Sequence, residues 1–301
     1  KKSHGHIRKE VNSVYQFICD NKNNYDVKLM CSVLKVPRSS FYKHLKRKES
    51  NRTKENKMLK DRILSIYNAS KRRYGAPKIQ QTLASEGLKI SIKRTYRLMK
   101  ILGIRSITVK KFRPAASKNK VESRENVLNR NFSTTTINQK WVTDMTYIYT
   151  IKDGWCYLSS VMDLFSKKII GYSFSRNMTT ELALQAVRNA VKSQCPSGPV
   201  ILHSDLGSQY TSSEFKKYIT ESKIFIHSFS GKGSPYDNAC IESFHASLKK
   251  EEVNLVKYYD FDTARLAIFE YIESWYNRKR IHSSIGYITP QECEDIARLT
   301  A

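Results

Sequence analysis

Between Gln139 and Ser204 the apolar pattern changes period twice, and that change restricts the fold more than any other feature of the chain. Gln139-Lys-Trp-Val-Thr-Asp-Met-Thr-Tyr-Ile-Tyr149 alternates and is rich in β-branched and aromatic residues, which predicts a strand with Asp144 near its middle. Asp153-Gly154 marks a tight hairpin, and Trp155 to Asp163 and Lys168 to Ser175 read as the next two strands. Thr180 to Lys192 has helical spacing and crosses over to a short apolar run, Pro199-Val-Ile-Leu, which reads as a buried strand ending at His203 and Ser204. A further helix is expected from Glu214 to Glu221. Strands and helices in that order demand a mixed sheet flanked by helices.

Asp205 falls where the last of these strands opens into a loop, the position at which α/β sheets place their chemistry. A Gly- and Pro-rich loop, Ser228 to Asn238, then leads into a helix from about Ala239 to Glu252, with Glu242 in its first turn. Three carboxylates on two strands and one helix suit a site for two hard divalent cations about 4 Å apart, which activate an attacking oxygen and stabilise a leaving one. Any one of these acids taken alone reads more readily as a solvated or capping residue; it is the three together that point to a metal site. Asp163 is a competing ligand, but it sits between strands, where an aspartate caps a turn. Ser230-Gly-Lys-Gly-Ser-Pro lacks the spacing of a phosphate-cradling loop, so no nucleotide cofactor is expected and a mobile active-site loop is the better reading.

Five segments carry a resemblance. They are Trp141-Val-Thr-Asp-Met-Thr-Tyr; Asp153 to Tyr172; His203-Ser-Asp-Leu-Gly-Ser-Gln-Tyr; Tyr236-Asp-Asn-Ala-Cys-Ile-Glu-Ser-Phe-His-Ala-Ser-Leu-Lys; and Tyr276-Asn-Arg-Lys-Arg-Ile-His-Ser-Ser-Ile-Gly-Tyr-Ile-Thr-Pro290. In that order, across nearly the whole chain, they resemble the transposases of bacterial insertion sequences whose catalytic domain is related to retroviral integrases. More narrowly, they resemble the second-frame (OrfB) protein of the two-frame family that moves through an excised circle. The resemblance implies an α/β RNase-H-like catalytic domain preceded by all-α helix-turn-helix modules. It also implies an Asp, Asp, Glu metal triad, here Asp144, Asp205 and Glu242, holding two Mg2+ with Mn2+ able to substitute. The 36 residues between Asp205 and Glu242 are one more than the family usually has, and the extra one is assigned to Lys223-Ile-Phe-Ile-His, as a loop or strand end. Tyr276, Asn277, Arg280 and His282 belong to the family signature, with two roles open: contacts to transposon-end DNA, or a bolt holding the final helices to the sheet.

Charge separates the chain into two parts. Residues 1–130 hold 34 Lys and Arg against 9 Asp and Glu, whereas residues 131–301 hold 19 against 18. Attraction for a polyanion therefore belongs to the N-terminal part. Residues 1–50 read as one helix-turn-helix module, with Arg38, Ser40, Tyr42 and Lys43 facing DNA. Residues 51–106 read as a linker helix and a second such module. There Pro77 starts one helix, Gly87 stops it, and Ser91 caps the next. In that last helix Ile92, Tyr96, Met99 and Leu102 form the expected apolar stripe, and Lys93, Arg94 and Arg97 the DNA-facing set. Residues 107–137 read as an extended basic linker and 138–301 as the catalytic domain with its C-terminal helices. At ~100° per residue, Lys249 projects from the same side of its helix as Glu242, within roughly 20°, and is expected to hold a phosphate next to the scissile one.

No stretch approaches a membrane span, and the basic, polar N-terminus lacks a signal-peptide core. Six cysteines without a Cys-x-x-Cys pair suggest neither a disulfide framework nor a zinc ribbon. The expectation is a cytoplasmic, nucleoid-associated bacterial protein. Its partners would be double-stranded DNA (element terminal inverted repeats and target) and further copies of itself on that DNA. It would hydrolyse a phosphodiester to expose a 3′-OH and direct that hydroxyl at a target. A domesticated DNA-binding regulator and a metal-dependent nuclease that cuts without joining are the alternatives.

Overall fold

The computed structural model describes residues 4–46, 49–108, 125–231 and 235–300. It divides into two compact units, residues 1–62 and 63–301. In the first, α1 (His4–Asn21), α2 (Val27–Val33) and α3 (Arg38–Leu45) form a small helical module. Asp26 caps α2 by accepting from the Lys28 N–H at 3.1 Å, and Pro37 sets the entry to α3. Tyr15, Ile18, Met30, Cys31 and Phe41 close its core.

Helix α4 (Asn51–Ala69) leads into the second unit, which opens with α5 (Ala76–Ser85) and α6 (Ile92–Ile101). Gly87 takes φ +84° to end the first of these, and the Ser91 hydroxyl accepts from the Arg94 N–H to start the second. The stripe expected on α6 is corrected. Thr95, Leu98 and Met99 are buried, whereas Ile92 and Tyr96 are 49% and 64% exposed. Thr95 can stand inside because its hydroxyl is satisfied by the Ser91 carbonyl at 3.2 Å, which turns the helix away from the face that hydrophobicity alone selects.

Strands β1 (Lys140–Thr150), β2 (Gly154–Asp163) and β3 (Ile169–Ser175) run antiparallel, and β4 (Val200–Ser204) pairs parallel with the start of β1 after the crossover α7 (Thr180–Gln194). With β5 (Phe225–Phe229) beyond β4, the sheet order β3-β2-β1-β4-β5 is the RNase-H-like arrangement expected. Gly171 on β3 lets α7 approach closely: a Cβ there would lie 2.4 Å from the Ala186 carbonyl oxygen. After α8 (Ser208–Thr211) and α9 (Ser213–Ser222) comes β5 (Phe225–Phe229), paired in continuous parallel register with β4. The extra residue is therefore not taken up in a loop between Phe225 and His227. The basic linker also ends sooner than expected. The Glu125 carbonyl accepts from the Phe229 N–H on β5, Leu128 is buried, and its N–H bonds the Ser228 hydroxyl. The remainder of that linker, 109–124, lies outside the described residues.

Helix α10 (Ala239–Leu248) passes into a π-helical turn (Lys249–Val253), and α11 (Phe261–Glu270) into another (Tyr271–Tyr276) before α12 (Pro290–Thr300). Ala264, Ile268, Ile272 and Trp275 are buried, as their spacing predicts. The far end of α10 is bolted at Glu251. Its buried carboxylate accepts from Arg280 Nε and Nη2 at 3.0 and 2.9 Å, Trp275 Nε1 at 3.0 Å and Tyr271 OH at 3.1 Å. Burial opposes its ionisation, but Arg280 outweighs that and holds the carboxyl below its ordinary range. Arg73, just ahead of α5, joins the same cluster: its Nε donates to the Glu251 carbonyl at 3.1 Å and its Nη2 meets Glu252 at 2.6 Å. The second helical pair is thereby fastened to the helix that carries Glu242. Removing one partner of such a buried pair strands the other. Glu251→Ala is expected to cost about 3–5 kcal/mol in denaturant unfolding, and a loss under ~1 kcal/mol would show that the pair holds little.

Candidate active site

The three acids arrive from three directions. Asp144 lies in the middle of β1 opposite Ser160 of β2, and its side chain is 21% exposed. Asp205 follows β4 directly, and its Oδ1 accepts from the Gly207 N–H at 2.9 Å. A Cβ on Gly207 would stand 2.9 Å from that same oxygen, so any larger residue there would have to push the Asp205 carboxylate aside. Glu242 is in the first turn of α10 and exposed. The loops around them are fixed by buried polar contacts. Thr143 Oγ1 and Tyr210 OH are 3.1 Å apart, and Asn238 Nδ2 donates to the Thr143 carbonyl at 3.2 Å.

The acids feel one another. Burial, then the Asp144 charge, push the Asp205 carboxyl up to about 6; Glu242 adds to the shift and the Gly207 N–H opposes it. Among the described residues no three His, Cys, Asp or Glu side chains are drawn close enough to enclose a metal ion. The donor chemistry nevertheless suits a hard divalent cation: three carboxylates, one of which already binds its proton more tightly because of its burial and, after that, its acidic neighbours. Asp163 is spent elsewhere. Buried, it accepts from the N–H groups of Asn138, Phe165 and Ser166 at 2.9–3.0 Å, the turn cap that its position suggested.

Three neighbours were not singled out from sequence. His245 Nδ1 lies 3.4 Å from Asp144 Oδ2, and its Nε2 faces Ser160 Oγ at 3.5 Å. Its place three residues after Glu242, on the same side of the helix, was the available signal. Asp237, just before α10, accepts from Gly231 N, Asn126 Nδ2 and Arg130 Nε at 2.7, 3.0 and 2.6 Å, tying the incoming segment to the loop ahead of Glu242. Residues 232–234 of that loop lie outside the described residues. His203 is buried between Ser228 and Ser230, and burial lowers it to about 4, so it stays neutral.

The remaining candidates separate clearly. Arg38, Tyr42 and Lys43 on α3 are exposed and Ser40 is half-buried; Lys93 and Arg97 on α6 are exposed and Arg94 is half-buried. The ammonium of Lys249 lies 4.0 Å from the centre of the Tyr147 ring. Tyr276, Asn277, Arg280 and His282 are drawn inward. Asn277 bonds the backbone of Ile169 through both ends of its amide at 3.0 Å, Tyr276 is 1% exposed, and Arg280 Nη1 meets His282 Nε2 at 2.8 Å. Burial, then Arg280, lower His282 to about 3. Of their two open roles, these contacts are those of the bolt.

The raised Asp205 carries a sign. A carboxyl whose folded pKa of about 6 exceeds its ordinary ~3.9 favours folding below pH ~4, and that contribution is lost as pH rises through 6. In metal-free protein Asp205→Asn should match wild type in urea unfolding near pH 4 and be more stable by about 2 kcal/mol at pH 7. Equal differences at both pH values would show that the carboxyl is not raised.

The family models that match are an integrase core domain over residues 135–235, a second integrase core domain model over 225–290 and an HTH-like domain over 54–112. The chain is 35% identical over 284 residues to the transposase InsF for insertion sequence IS3A of Escherichia coli (strain K12), covering 93% of this chain and 98% of that one. It is 37% identical over 262 residues to the insertion element IS600 uncharacterized 31 kDa protein of Shigella sonnei, covering 87% and 96%. Among solved structures, the HTLV-2 integrase catalytic core domain in complex with magnesium (trimeric form) aligns at TM-score 0.40 and 19% identity, over 52% of this chain and 96% of that one. Identity at this level along almost the full length of both chains means that the protein belongs to the family of insertion-sequence transposases that includes InsF of IS3.

Proposed function

We propose that this protein is a DNA transposase that binds the terminal inverted repeats of its own element, hydrolyses a phosphodiester there to expose a 3′-OH, and joins that end to target DNA. The observation that carries the reading is the placement of the three acids on adjoining elements, Asp144 on β1, Asp205 directly after its parallel partner β4, and Glu242 on α10, which reaches Asp144 through His245, within a chain of this family. Bound by these carboxylates, two Mg2+ ions (or Mn2+) would activate the attacking oxygen and stabilise the leaving one. The chain's own residues supply position. Asp144 sits on a central strand with His245 against its outer oxygen, Asp205 is oriented by the Gly207 N–H, and Glu242 rides on a helix whose far end is pinned at Glu251. Duplex DNA would meet Arg38, Ser40, Tyr42 and Lys43 on α3 and Lys93, Arg94 and Arg97 on α6, with several copies of the chain acting together on cytoplasmic, nucleoid DNA. Among the described residues no helix is long and apolar enough to cross a membrane.

Cleavage and joining assays on duplexes carrying the repeats that flank the protein's own gene test this directly. Glu242→Gln, Asp144→Asn and Asp205→Asn should each abolish both reactions while leaving end binding within about twofold of wild type. Wild-type joining by purified Glu242→Gln would mean that a different acid completes the site.

The same duplexes test the DNA-facing surface. Lys93→Ala and Arg97→Ala should each weaken binding across sequences and reduce the slope of log K against log salt by about 1. Unchanged slopes for both would remove α6 from the interface.

A further inference from the structure

We propose that Tyr147, Tyr149 and Trp155 form a stacking platform for unpaired DNA bases, a second nucleic-acid site on the catalytic domain beside the acid cluster. Tyr149 and Trp155 are register partners across the β1–β2 hairpin. The Trp155 ring lies 5.0 Å from Tyr147 at 86° and 5.2 Å from Tyr149 at 72°. Edge-on packing braces the three rings without stacking them on one another, and with Lys249 over Tyr147 the ring faces offered to a base are chiefly those of Tyr149 and Trp155. They are 47%, 55% and 52% exposed. Trp141 and Met145, earlier on the same face of β1, are covered by the core that α7 builds, and the cover stops short of Tyr147. Three half-exposed aromatic rings at a hairpin end, where polar residues would cost nothing, mark a surface that binds something.

The charge around the rings favours nucleic acid over an apolar protein face. Lys249 sets its ammonium 4.0 Å from the Tyr147 ring centre, and Lys152 stands at the hairpin tip. Of the acids beside Lys152, Asp153 is committed to Arg176 at 3.0 Å and to the Phe261 N–H at 2.7 Å, and Asp260 to the Thr263 N–H and hydroxyl at 3.0 and 2.6 Å. A basic rim with aromatic centres is the composition that binds single strands, because every base has a π-face and the backbone needs a cation.

Placement completes the argument. At ~3.3 Å per residue, Tyr147 and Tyr149 lie about 10 and 17 Å along β1 from Asp144, or roughly three to five base steps at ~3.4 Å. They project from the opposite face of β1, and β4 pairs with only Lys140 to Val142, so this stretch of the strand is not walled off by β4. Helix α10 brings His245 to Asp144 and, one turn further, Lys249 to Tyr147. A strand with a phosphodiester at the acids therefore meets Lys249 before it meets the rings. The platform rests on the transposase reading only for its ligand, DNA.

The test needs no catalysis and runs in EDTA with the full chain. Trp141 and Trp275 are 0% and 5% exposed, so solvent-sensitive tryptophan emission comes from Trp155. Terminal-repeat duplexes are compared blunt and with a short unpaired tail that carries 2-aminopurine. The tailed end should quench Trp155, lose 2-aminopurine emission on binding, and bind more tightly than the blunt one. Trp155→Ala and Tyr149→Ala should each lower affinity for the tailed end by about five- to a hundredfold and leave the blunt duplex unchanged. Both residues are half-exposed, so circular dichroism should be unaltered. Equal affinity for tailed and blunt ends, or equal loss on both in the variants, overturns the proposal. So does a change in oligomeric state with DNA affinity intact, which would make the rings a contact between copies of the chain. Loss of cleavage in a separate metal-containing assay bears on the transposase reading alone.

Discussion

A single buried carboxylate, Glu251, settles where most of the second unit stands. It faces a guanidinium, an indole N–H and a phenol, all from the C-terminal segment, and its own backbone carbonyl is taken by Arg73. Each of those groups would be costly to bury alone, and together they are compatible with the interior. The result is mechanical. The helix that begins with Glu242 ends in a cluster shared with the α5–α6 pair and with the Tyr276–His282 segment, so none of the three can shift without exposing a charge.

That cluster also explains why two stretches of helix are π-helical. Lys249–Val253 and Tyr271–Tyr276 each contain residues of the cluster, and the wider turn lets Glu251, Tyr271 and Trp275 reach one point. Lys78 lies at its rim, where burial and then Arg280 lower it to about 8. The surplus of cations around one carboxylate is tolerable only because Glu252 takes Arg73.

What could be read from the sequence was whatever depended on local pattern. The period of Gln139 to Tyr149, the Asp-Gly hairpin and the apolar approach to Asp205 marked out the first four strands, and motif order singled out Asp144, Asp205 and Glu242 as candidates. β5 escaped because Phe225-Ile-His-Ser-Phe is short, carries a histidine and adjoins a glycine-rich loop, so its identity comes from pairing with β4 rather than from its own pattern. The α6 stripe failed because a buried threonine satisfied within its own helix looks polar in sequence. The bolt formed by Arg280, Asn277 and Glu251 is a matter of contacts more than 20 residues apart, and a charged motif near the chain's end looked as much like a DNA contact as a structural clamp.

The Arg73–Glu252 contact joins residues 179 positions apart. At ~5–20 residues per second of synthesis, roughly 10–40 s pass between the emergence of the guanidinium and that of its partner. During that interval α5 and α6 can pair through local contacts, while Arg73 remains in water with nothing to hold the pair against a catalytic sheet that is itself still being made. The clamp is therefore among the last features to form. A ribosome that stalls ahead of Glu251 leaves a paired α5 and α6 unconnected to any Glu242 helix.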